Sequence, residues 1–329
     1  IRSRRPLLVP DVRDAPPWML QAFMGTAIGS YLGIPLVSRS RVLGSLSLAV
    51  AADGVRRYNP EDLALAQDLG QRVALALDHV RLFDAQRHIA MTLQASLLPP
   101  GLPEIPGVEI AARYRAAGAA SEVGGDFYDV FGVGEGAWAL AMGDISGKGI
   151  EAASLTALAR YTVRAAAREH RKPREILLQL NEAVIDERPS SRFLTIALGR
   201  LRWRPSGLRL TVACGGHPPP LLLRAGGRVE RAGRPGTLIG FLPAPDLPEK
   251  VNELEVGDVA LFFTDGLTDV RGPTGTFGEE RLVALLHQCQ GLGAEDIATK
   301  LETAVLAFQA GEPRDDLAML VLKVVGPVP

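Results

Sequence analysis

Residues 137–149, AWALAMGDISGKG, set the pattern on which the predicted fold of this chain depends. Residues 137–142 are an apolar run of the length expected for a buried strand, and the run ends at a Gly-Asp pair. Gly147 and Gly149 follow closely, so we expect a tight loop there. The next segment, 152–170, has the length and apolar spacing of a helix. The stretch therefore predicts a strand, an acidic loop and a helix in succession.

The same alternation continues outward from this stretch and predicts an α+β fold. Strands come in consecutive groups and helices come in pairs, which is typical of layered α+β architectures. The predicted helices are 152–170, 174–186, 279–290 and 295–309. The predicted strands are 137–142, 193–203, 208–213, 259–263 and 317–325.

Composition and charge exclude several classes of protein. The chain has 329 residues, enough for roughly two domains, and 47% of them are hydrophobic, too many for a disordered chain. Lys and Arg number 36 against 37 Asp and Glu, a balance that argues against binding of nucleic acid. The longest apolar runs, such as 42–52, are too short to span a membrane. Two cysteines give neither a disulfide framework nor a zinc site, which indicates a reducing, cytoplasmic location.

Residues 1–60 predict only a small amount of structure. Residues 30–37 and 42–51 alternate well enough to be strands joined by a turn. Two strands and a short helix are marginal in water, so we do not expect this segment to close a core by itself. The chain begins with Ile1 and no signal-peptide pattern follows, so we expect the natural start of the protein to lie upstream.

A long helix is predicted over residues 61–98. Asn59 can cap it, Pro60 suits its first position, and the next proline is Pro99. Its apolar residues recur at alternating spacings of three and four, as they do in coiled coils. The pattern fits either a helix that covers its own domain or a helix that forms a homodimer, and we favour the homodimer. The positions concerned are Ala66, Leu69, Val73, Ala76, Val80 and Phe83.

Four places in the chain combine an aspartate with a glycine, or with a second aspartate, next to an apolar strand. Any one of them can be an ordinary turn, since Asp and Gly are common turn residues. A cluster of carboxylates would need cations, and ligands that are all oxygen favour Mg²⁺ or Mn²⁺ over zinc. Spacing alone does not show whether the four residues meet in space. They are Asp126, Asp144, Asp265 and Asp315.

The segments around these aspartates resemble the metal-dependent PPM-type serine/threonine phosphatases, and in particular their bacterial SpoIIE-type branch. The segments occur in the order found in that family. The resemblance implies a four-layer αββα sandwich over residues 99–329, preceded by the linker helix at 61–98. Residues 6–85 are similar to the second half of a GAF sensor domain, so residues 1–60 are expected to be a partial GAF-like segment. The resembling segments are SEVGGDFYDVF (121–131), GDISGKG (143–149), GGHPPPLLL (215–223), FTDGLTD (263–269), FGEERL (277–282) and DDLAML (315–320).

The resemblance also implies a metal centre. In it, Asp126, Asp144, Asp265 and Asp315 hold two Mn²⁺ or Mg²⁺ ions, and the backbone carbonyl of Ile145 is a further ligand. Two cations about 3.5–4 Å apart lower the pKa of a bridging water and stabilise an in-line displacement at phosphorus. We expect Asp144 to bridge the two ions and the other three carboxylates to bind terminally or through water.

The chain departs from the eukaryotic branch of the family at two places. Ser146 stands where that branch has a histidine proposed as general acid, and residues 119–121 lack its phosphate-binding arginine. Protonation of the leaving group and capture of the phosphate are therefore open. The candidate phosphate-binding cations are Arg113, Arg115 and Lys148.

Other polar residues near these motifs have more than one interpretation. We expect His217 to donate a hydrogen bond to a turn carbonyl rather than to act in the site. Asp316 is a ligand, a partner of a ligand or a charge at a strand edge. Asp129 and Asp269 each follow a site aspartate closely and are candidates for supporting it. Residues 143–149 lack the spacing of a P-loop, so they do not indicate a nucleoside triphosphatase.

We expect the chain to be a metal-dependent phosphatase that acts on phosphoserine and phosphothreonine. The resemblance implies that its substrate is a phosphorylated STAS-domain anti-anti-sigma factor, and hence a role in sigma-factor regulation. It also implies that residues 93–98 couple to the helix that starts near Glu151. The alternative is a catalytically weak docking module of the same fold, which the missing general acid favours. The retained aspartates argue against it, because crowded carboxylates without a use only lower stability.

Overall fold

The computed structural model describes residues 4–23, 25–116, 124–187, 192–205, 207–273, 275–311 and 315–326. The chain divides into two units, Ile1–Gln86 and Arg87–Pro329. Among the helices in these ranges, none has the length and apolar character that crossing a membrane requires.

The first unit is built on a three-stranded antiparallel sheet. Its strands, in spatial order, are β1 (Leu7–Val9), β2 (Ile28–Ser38) and β3 (Arg41–Ala51). Helix α1 (Pro17–Phe23) lies between β1 and β2 in the chain. The two strands predicted from alternation are confirmed, and β1 is an additional strand.

Helix α2 (Pro60–Leu97) is 38 residues long and begins directly after the capping residue that the sequence indicates. Asn59 Oδ1 accepts hydrogen bonds from the backbone N–H groups of Glu61 and Asp62, and the Asp62 carboxylate accepts one from the backbone N–H of Asn59. This reciprocal arrangement satisfies donors that the first helical turn leaves without helical partners.

The predicted coiled-coil positions on α2 have two environments. Ala66 is buried in the first unit, where it packs with Leu32 and Ile34 of β2. Leu69, Val80 and Phe83 are 48%, 58% and 44% exposed. One stripe of α2 therefore packs within its own unit, while other apolar positions remain at its surface.

The second unit contains two five-stranded antiparallel sheets, here called sheet I and sheet II. The strands of sheet I, in spatial order, are β10 (Val229–Arg231), β9 (Leu221–Leu223), β12 (Val259–Phe263), β15 (Leu317–Val324) and β4 (Val108–Arg115). Those of sheet II are β11 (Glu249–Leu254), β8 (Gly207–Gly215), β7 (Leu194–Arg204), β6 (Ala137–Ile145) and β5 (Phe127–Gly132). A short hairpin of β13 (Arg271–Gly272) and β14 (Gly275–Thr276) lies outside both sheets.

Four helices complete a four-layer αββα sandwich, as predicted. Helices α3 (Ile150–Glu169) and α4 (Pro173–Asp186) pack on sheet II. Helices α5 (Gly278–His287) and α6 (Ala294–Phe308) pack on sheet I. The main core lies between the two sheets, and each helix pair has a further core beneath it.

Strand β6 is apolar from Ala137 to Met142 because it is covered on both faces. Leu140 and Met142 face the core between the sheets, whereas Ala139 and Ala141 face the core under α3 and α4. Successive side chains of a strand point to opposite faces, so a strand covered on both sides needs apolar residues at every position. Small alanines on the helix side leave room for the helices to approach the sheet.

Asp129 in β5 anchors α3 and does not support the site ligands, contrary to the role considered for it above. Its buried carboxylate accepts hydrogen bonds from Arg164 Nε and Nη2, at 2.6 and 2.8 Å, and from Arg160 Nε at 3.3 Å. Both arginines belong to α3, and Arg160 also donates to the carbonyl of Leu97, the last residue of α2. Leu97 packs against Ala153 of α3 as well. The end of α2 thus contacts α3, the helix to which the family resemblance implies a coupling.

Replacing Asp129 by alanine is expected to destabilise the second unit. The change would leave Arg160 and Arg164 without their counter-charge. Removing one partner of a buried ion pair costs about 3–5 kcal/mol of stability. The cost is lower for a pair whose other partner reaches solvent, as Arg164 does. Urea unfolding followed by circular dichroism measures the effect. The control is Asp53→Ala, which removes a carboxylate at an exposed turn. Equal unfolding free energies for the two variants would contradict the anchoring role.

Candidate metal centre

The four predicted aspartates lie at strand ends where the two sheets of the second unit face each other. Asp126 directly precedes β5, and Asp144 is the penultimate residue of β6, both in sheet II. Asp265 follows β12 and Asp315 precedes β15, both in sheet I. Each sheet therefore contributes two carboxylates.

The raised pKa values of Asp126, Asp144 and Asp265 indicate that the carboxylates lie close enough to repel one another. Burial raises the pKa of Asp126 well above its usual value, and the negative charge of Asp144 raises it further. Burial, followed by the negative charges of Asp265 and Asp315, raises the pKa of Asp144 to about 7. The pKa of Asp265 is also raised, first by burial and then by Asp315. Such a cluster favours the arrival of positive charge, either as protons or as a cation.

Asp316 is part of the same cluster. It is 3% exposed, and its Oδ2 accepts a hydrogen bond from the Tyr114 hydroxyl at 3.2 Å. Its charge contributes to the raised pKa of Asp126. The neighbouring Asp315 has a side chain that is 58% exposed and lies 3.9 Å from Lys148 Nζ. Of this pair, Asp316 faces into the cluster and Asp315 lies at its rim.

Two glycines allow these groups to approach closely. A Cβ on Gly125 would lie 2.5 Å from both Asp144 Oδ1 and the carbonyl oxygen of Ile145. A Cβ on Gly266 would lie 1.6 Å from the carbonyl oxygen of Asp316. No side chain fits at either position. The first contact also shows that the Asp144 carboxylate and the Ile145 carbonyl face the same glycine, as two donors to one site must.

Thr264 connects the two sheets at the cluster, a role that the sequence analysis missed. Its hydroxyl, fully buried, donates to Asp126 Oδ2 at 2.7 Å and accepts a hydrogen bond from the backbone N–H of Ala318 at 3.1 Å. This bond fixes the orientation of the Asp126 carboxylate. The only sequence signal is the position of Thr264 directly before Asp265.

His217 forms a second connection between the sheets. Its Nε2 donates to the carbonyl of Phe263 at 3.0 Å, and its Nδ1 accepts from the Thr195 hydroxyl at 2.7 Å. Burial lowers the pKa of His217 to about 4, so the ring is neutral at pH 7. Thr195 pairs with Asp144 across β6 and β7, and Phe263 stands two residues before Asp265. The predicted structural role is confirmed, although the acceptor is the last carbonyl of a strand and not that of a turn.

The three candidate phosphate-binding cations have different surroundings. Lys148 lies beside Asp315 at the rim of the cluster. Arg113 is instead paired with Glu295 and Glu302 of α6. Arg115 lies 3.4 Å from Glu302. Residues 119–121, where the eukaryotic arginine is missing, lie outside the described residues.

The chemistry of the donors suits hard divalent cations. Within the described ranges, no group of three or more His, Cys, Asp or Glu side chains is arranged so that these side chains alone could hold a metal ion. The donors at the cluster are carboxylate and backbone carbonyl oxygens, and Mg²⁺ is usually held by one or two carboxylates while it keeps several waters. A set of oxygen donors completed by water therefore fits Mg²⁺ or Mn²⁺.

Comparison with known sequences points to one family. The profile of Stage II sporulation protein E (SpoIIE) matches residues 134–325, and a GAF-domain profile matches residues 1–78. Protein IcfG of Synechocystis sp. is 26% identical over 222 residues, which cover 59% of this chain and 34% of that protein. The phosphoserine phosphatase RsbU of Bacillus subtilis is 24% identical over 236 residues, which cover 71% of this chain and 69% of that protein. The chain thus spans about a third of the first relative and two thirds of the second.

Solved structures share the fold. The RsbU and RsbW domains of Rv1364c from Mycobacterium tuberculosis superimpose with a TM-score of 0.60 at 27% identity, covering 69% of this chain and 63% of that one. RsbX in complex with magnesium gives a TM-score of 0.53 at 15% identity, covering 68% of this chain and 98% of that one. These matches confirm the predicted sandwich fold.

Removing the charge of Asp144 is expected to stabilise the protein when divalent cations are absent. Because the pKa of Asp144 is raised to about 7 in the folded chain, its ionised form is disfavoured there, and stability in a chelator falls as the pH rises from about 4 through 7. At pH 8 in EDTA, Asp144→Asn should raise the free energy of unfolding by about 1–3 kcal/mol.

Urea unfolding measures this change, and Asp246→Asn, at an exposed loop position, is the control. Added Mn²⁺ should stabilise the native chain more than the Asp144→Asn variant. A variant less stable than the native chain in EDTA would contradict the described repulsion.

Proposed function

Because the chain belongs to the SpoIIE family of PP2C-type phosphatase domains, we propose that it hydrolyses phosphoserine and phosphothreonine in a protein substrate with the help of divalent cations. The observation that carries this proposal is the acidic cluster between the two sheets. Burial and mutual repulsion raise the pKa of three of its aspartates, so the cluster requires positive charge at neutral pH. Transfer of a phosphoryl group requires positive charge at the same place.

The proposed ligands of two Mn²⁺ or Mg²⁺ ions are those that the family resemblance implies. They are Asp126, Asp144, Asp265, Asp315 and the carbonyl of Ile145, with Asp144 between the two ions. The bound ions would supply charge for the phosphoryl oxygens and lower the pKa of the attacking water. Gly125 supports the proposal, because its missing side chain leaves the space into which Asp144 and Ile145 direct their oxygens.

Other residues of the chain orient the ligands and the substrate. The Thr264 hydroxyl donates a hydrogen bond to Asp126 Oδ2. Because this bond fixes the orientation of the carboxylate, it also fixes the position of Oδ1. His217 sets the spacing between the strands that end near Asp144 and Asp265. Lys148, at the rim and 40% exposed, is the proposed cation for the phosphate group of the substrate.

We propose that the substrate is a phosphorylated STAS-domain protein, an anti-anti-sigma factor, and that the reaction takes place in the cytoplasm as part of sigma-factor regulation. The name of one relative, phosphoserine phosphatase RsbU, supports phosphoserine as the group that is hydrolysed. A solved chain in which an RsbU domain and an RsbW domain occur together supports a regulatory partner.

Removing single site carboxylates is expected to abolish the reaction. Asp144→Asn and Asp265→Asn should lower Mn²⁺-dependent release of phosphate from a phosphoserine STAS-domain protein by at least about a thousandfold, since charge stabilisation of the transition state is usually the largest catalytic contribution. Phosphate release is measured with the full chain in Mn²⁺ and in EDTA. Asp246→Asn, a charge removal at an exposed position, should keep native activity.

Isothermal titration with Mn²⁺ separates this proposal from the docking-module alternative. Binding by the native chain that is lost in Asp144→Asn would support a metal-dependent enzyme. Native activity in both site variants would contradict the assignment of the ligands. A native chain that neither binds Mn²⁺ nor releases phosphate would favour the docking module.

We also propose that the chain forms a homodimer through residues 61–98. The supporting observation is the exposed apolar surface of α2, which includes Leu69, Val80 and Phe83. Large apolar side chains at the recurring spacing of a coiled coil are stabilised when a second helix covers them.

Sedimentation velocity tests the dimer. The native chain should be a dimer that dissociates on dilution, because self-association depends on concentration. The Phe83→Glu variant should be a monomer at the same concentrations. Phe241→Glu changes a phenylalanine of the second unit that is more exposed, 58% against 44% for Phe83, and should leave the dimer intact. A native chain that stays monomeric at all concentrations would contradict the proposal.

A further inference from the structure

A cleft with a cavity volume of about 60 Å³, partly open to solvent, lies directly beside the acidic cluster. Two of its lining residues, Asp315 and Gly266, also belong to the cluster. The opposite wall comes from the end of α6 and from Arg271 of β13. A molecule with its phosphate at the cluster would therefore have its neighbouring atoms at the mouth of this cleft.

The lining of the cleft is mixed: aliphatic side chains lie beside the polar side chains of Asp269, Gln309, Asp315 and two arginines. Val270, Leu306 and Leu317 line it, and the first two are only half-buried, so they present aliphatic surface to solvent. Partly exposed aliphatic groups around a concave space favour a ligand group of the same character. An aliphatic side chain would remove this surface from water.

Two guanidinium groups lie at the rim. The side chain of Arg271 is exposed, and its guanidinium has no hydrogen-bond or ion-pair partner among the residues that the structure describes. Arg115 is 51% exposed, and its contact with Glu302 is a long one of 3.4 Å. Exposed pairs of this kind are weak, so both cations can turn towards a bound acidic group.

We propose that this cleft is a substrate subsite, which holds an aliphatic side chain close in sequence to the phosphorylated residue, while Arg271 pairs with a neighbouring acidic side chain. The inference rests on the proposed phosphatase function and names the kind of sequence on which the site acts. An extended segment advances about 3.3 Å per residue, so a side chain within two residues of the phosphoserine reaches a cleft that adjoins the cluster.

Phosphoserine peptides test the subsite with the full chain in Mn²⁺. The peptides are alanine-based octamers that carry leucine at a position within two residues of the phosphoserine, before or after it. Each peptide is made with and without an aspartate next to the leucine. Leucine at one of these positions should raise kcat/KM about tenfold over alanine, the factor expected when such a side chain is largely buried. Hydrolysis of p-nitrophenyl phosphate, which has no peptide to dock, reports the metal centre alone.

Two variants, each with a matched control, assign the effect to the cleft. Leu306→Gln should remove the preference for leucine, whereas Leu285→Gln, at a half-buried leucine of α5, should keep it. Arg271→Glu should lower kcat/KM for the aspartate-containing peptides alone. Arg204→Glu, at the end of β7 remote from Thr195, should leave all peptides unchanged. All four variants should hydrolyse p-nitrophenyl phosphate at the native rate.

A second measurement does not depend on turnover. Fluorescence anisotropy of the leucine peptide carrying a non-hydrolysable phosphonate should show about tenfold weaker binding to Leu306→Gln than to the native chain. A leucine preference that is absent, or that survives Leu306→Gln, would overturn the subsite while hydrolysis of p-nitrophenyl phosphate still supports the phosphatase. A native chain that hydrolyses neither p-nitrophenyl phosphate nor any peptide would overturn both.

Discussion

Repulsion among carboxylates that the fold brings together is the constraint on which the rest of the second unit depends. Sheet II supplies Asp126 and Asp144, and sheet I supplies Asp265, so the sandwich must resist a force that pushes its two sheets apart at one end. Apolar packing between the sheets provides the general resistance. The hydrogen bonds of Thr264 and His217 provide it locally, where the charges lie. Charge repulsion that lowers the stability of a fold, without a compensating stabilising interaction, is typical of a functional site.

The parts of the fold that could be predicted are those determined by local patterns. Strands β6, β12 and β15 are covered on both faces, so their sequences are continuous apolar runs that stand out from their surroundings. Strand β4 was missed because three of its eight residues are Arg113, Tyr114 and Arg115, whose partners are on α6 and in the acidic cluster. Strand β11 lies at a sheet edge, and four of its six residues are polar without a regular alternation, so its sequence gives only a weak signal for a strand.

The candidate site shows the same division between local and distant information. The aspartates could be named because each stands in a motif that resembles a known family. The residues that hold them could not, since Thr264 and Asp126 are 138 positions apart and only the fold brings them together. Asp129 shows the reverse error: its place three residues after Asp126 suggested a common task, yet the strand alternation directs it to the helices on the other face.

The continuity of α2 has a consequence for how the chain can vary. The helix carries exposed apolar residues such as Val80 in one part and the buried Ala90 and Leu97 in another. Each residue of an α-helix turns the chain by about 100°, so a single insertion between Phe83 and Ala90 would rotate one stripe against the other by that angle. Insertions or deletions of seven residues would nearly preserve the phase. Length differences in this segment among natural variants should therefore occur in steps of seven.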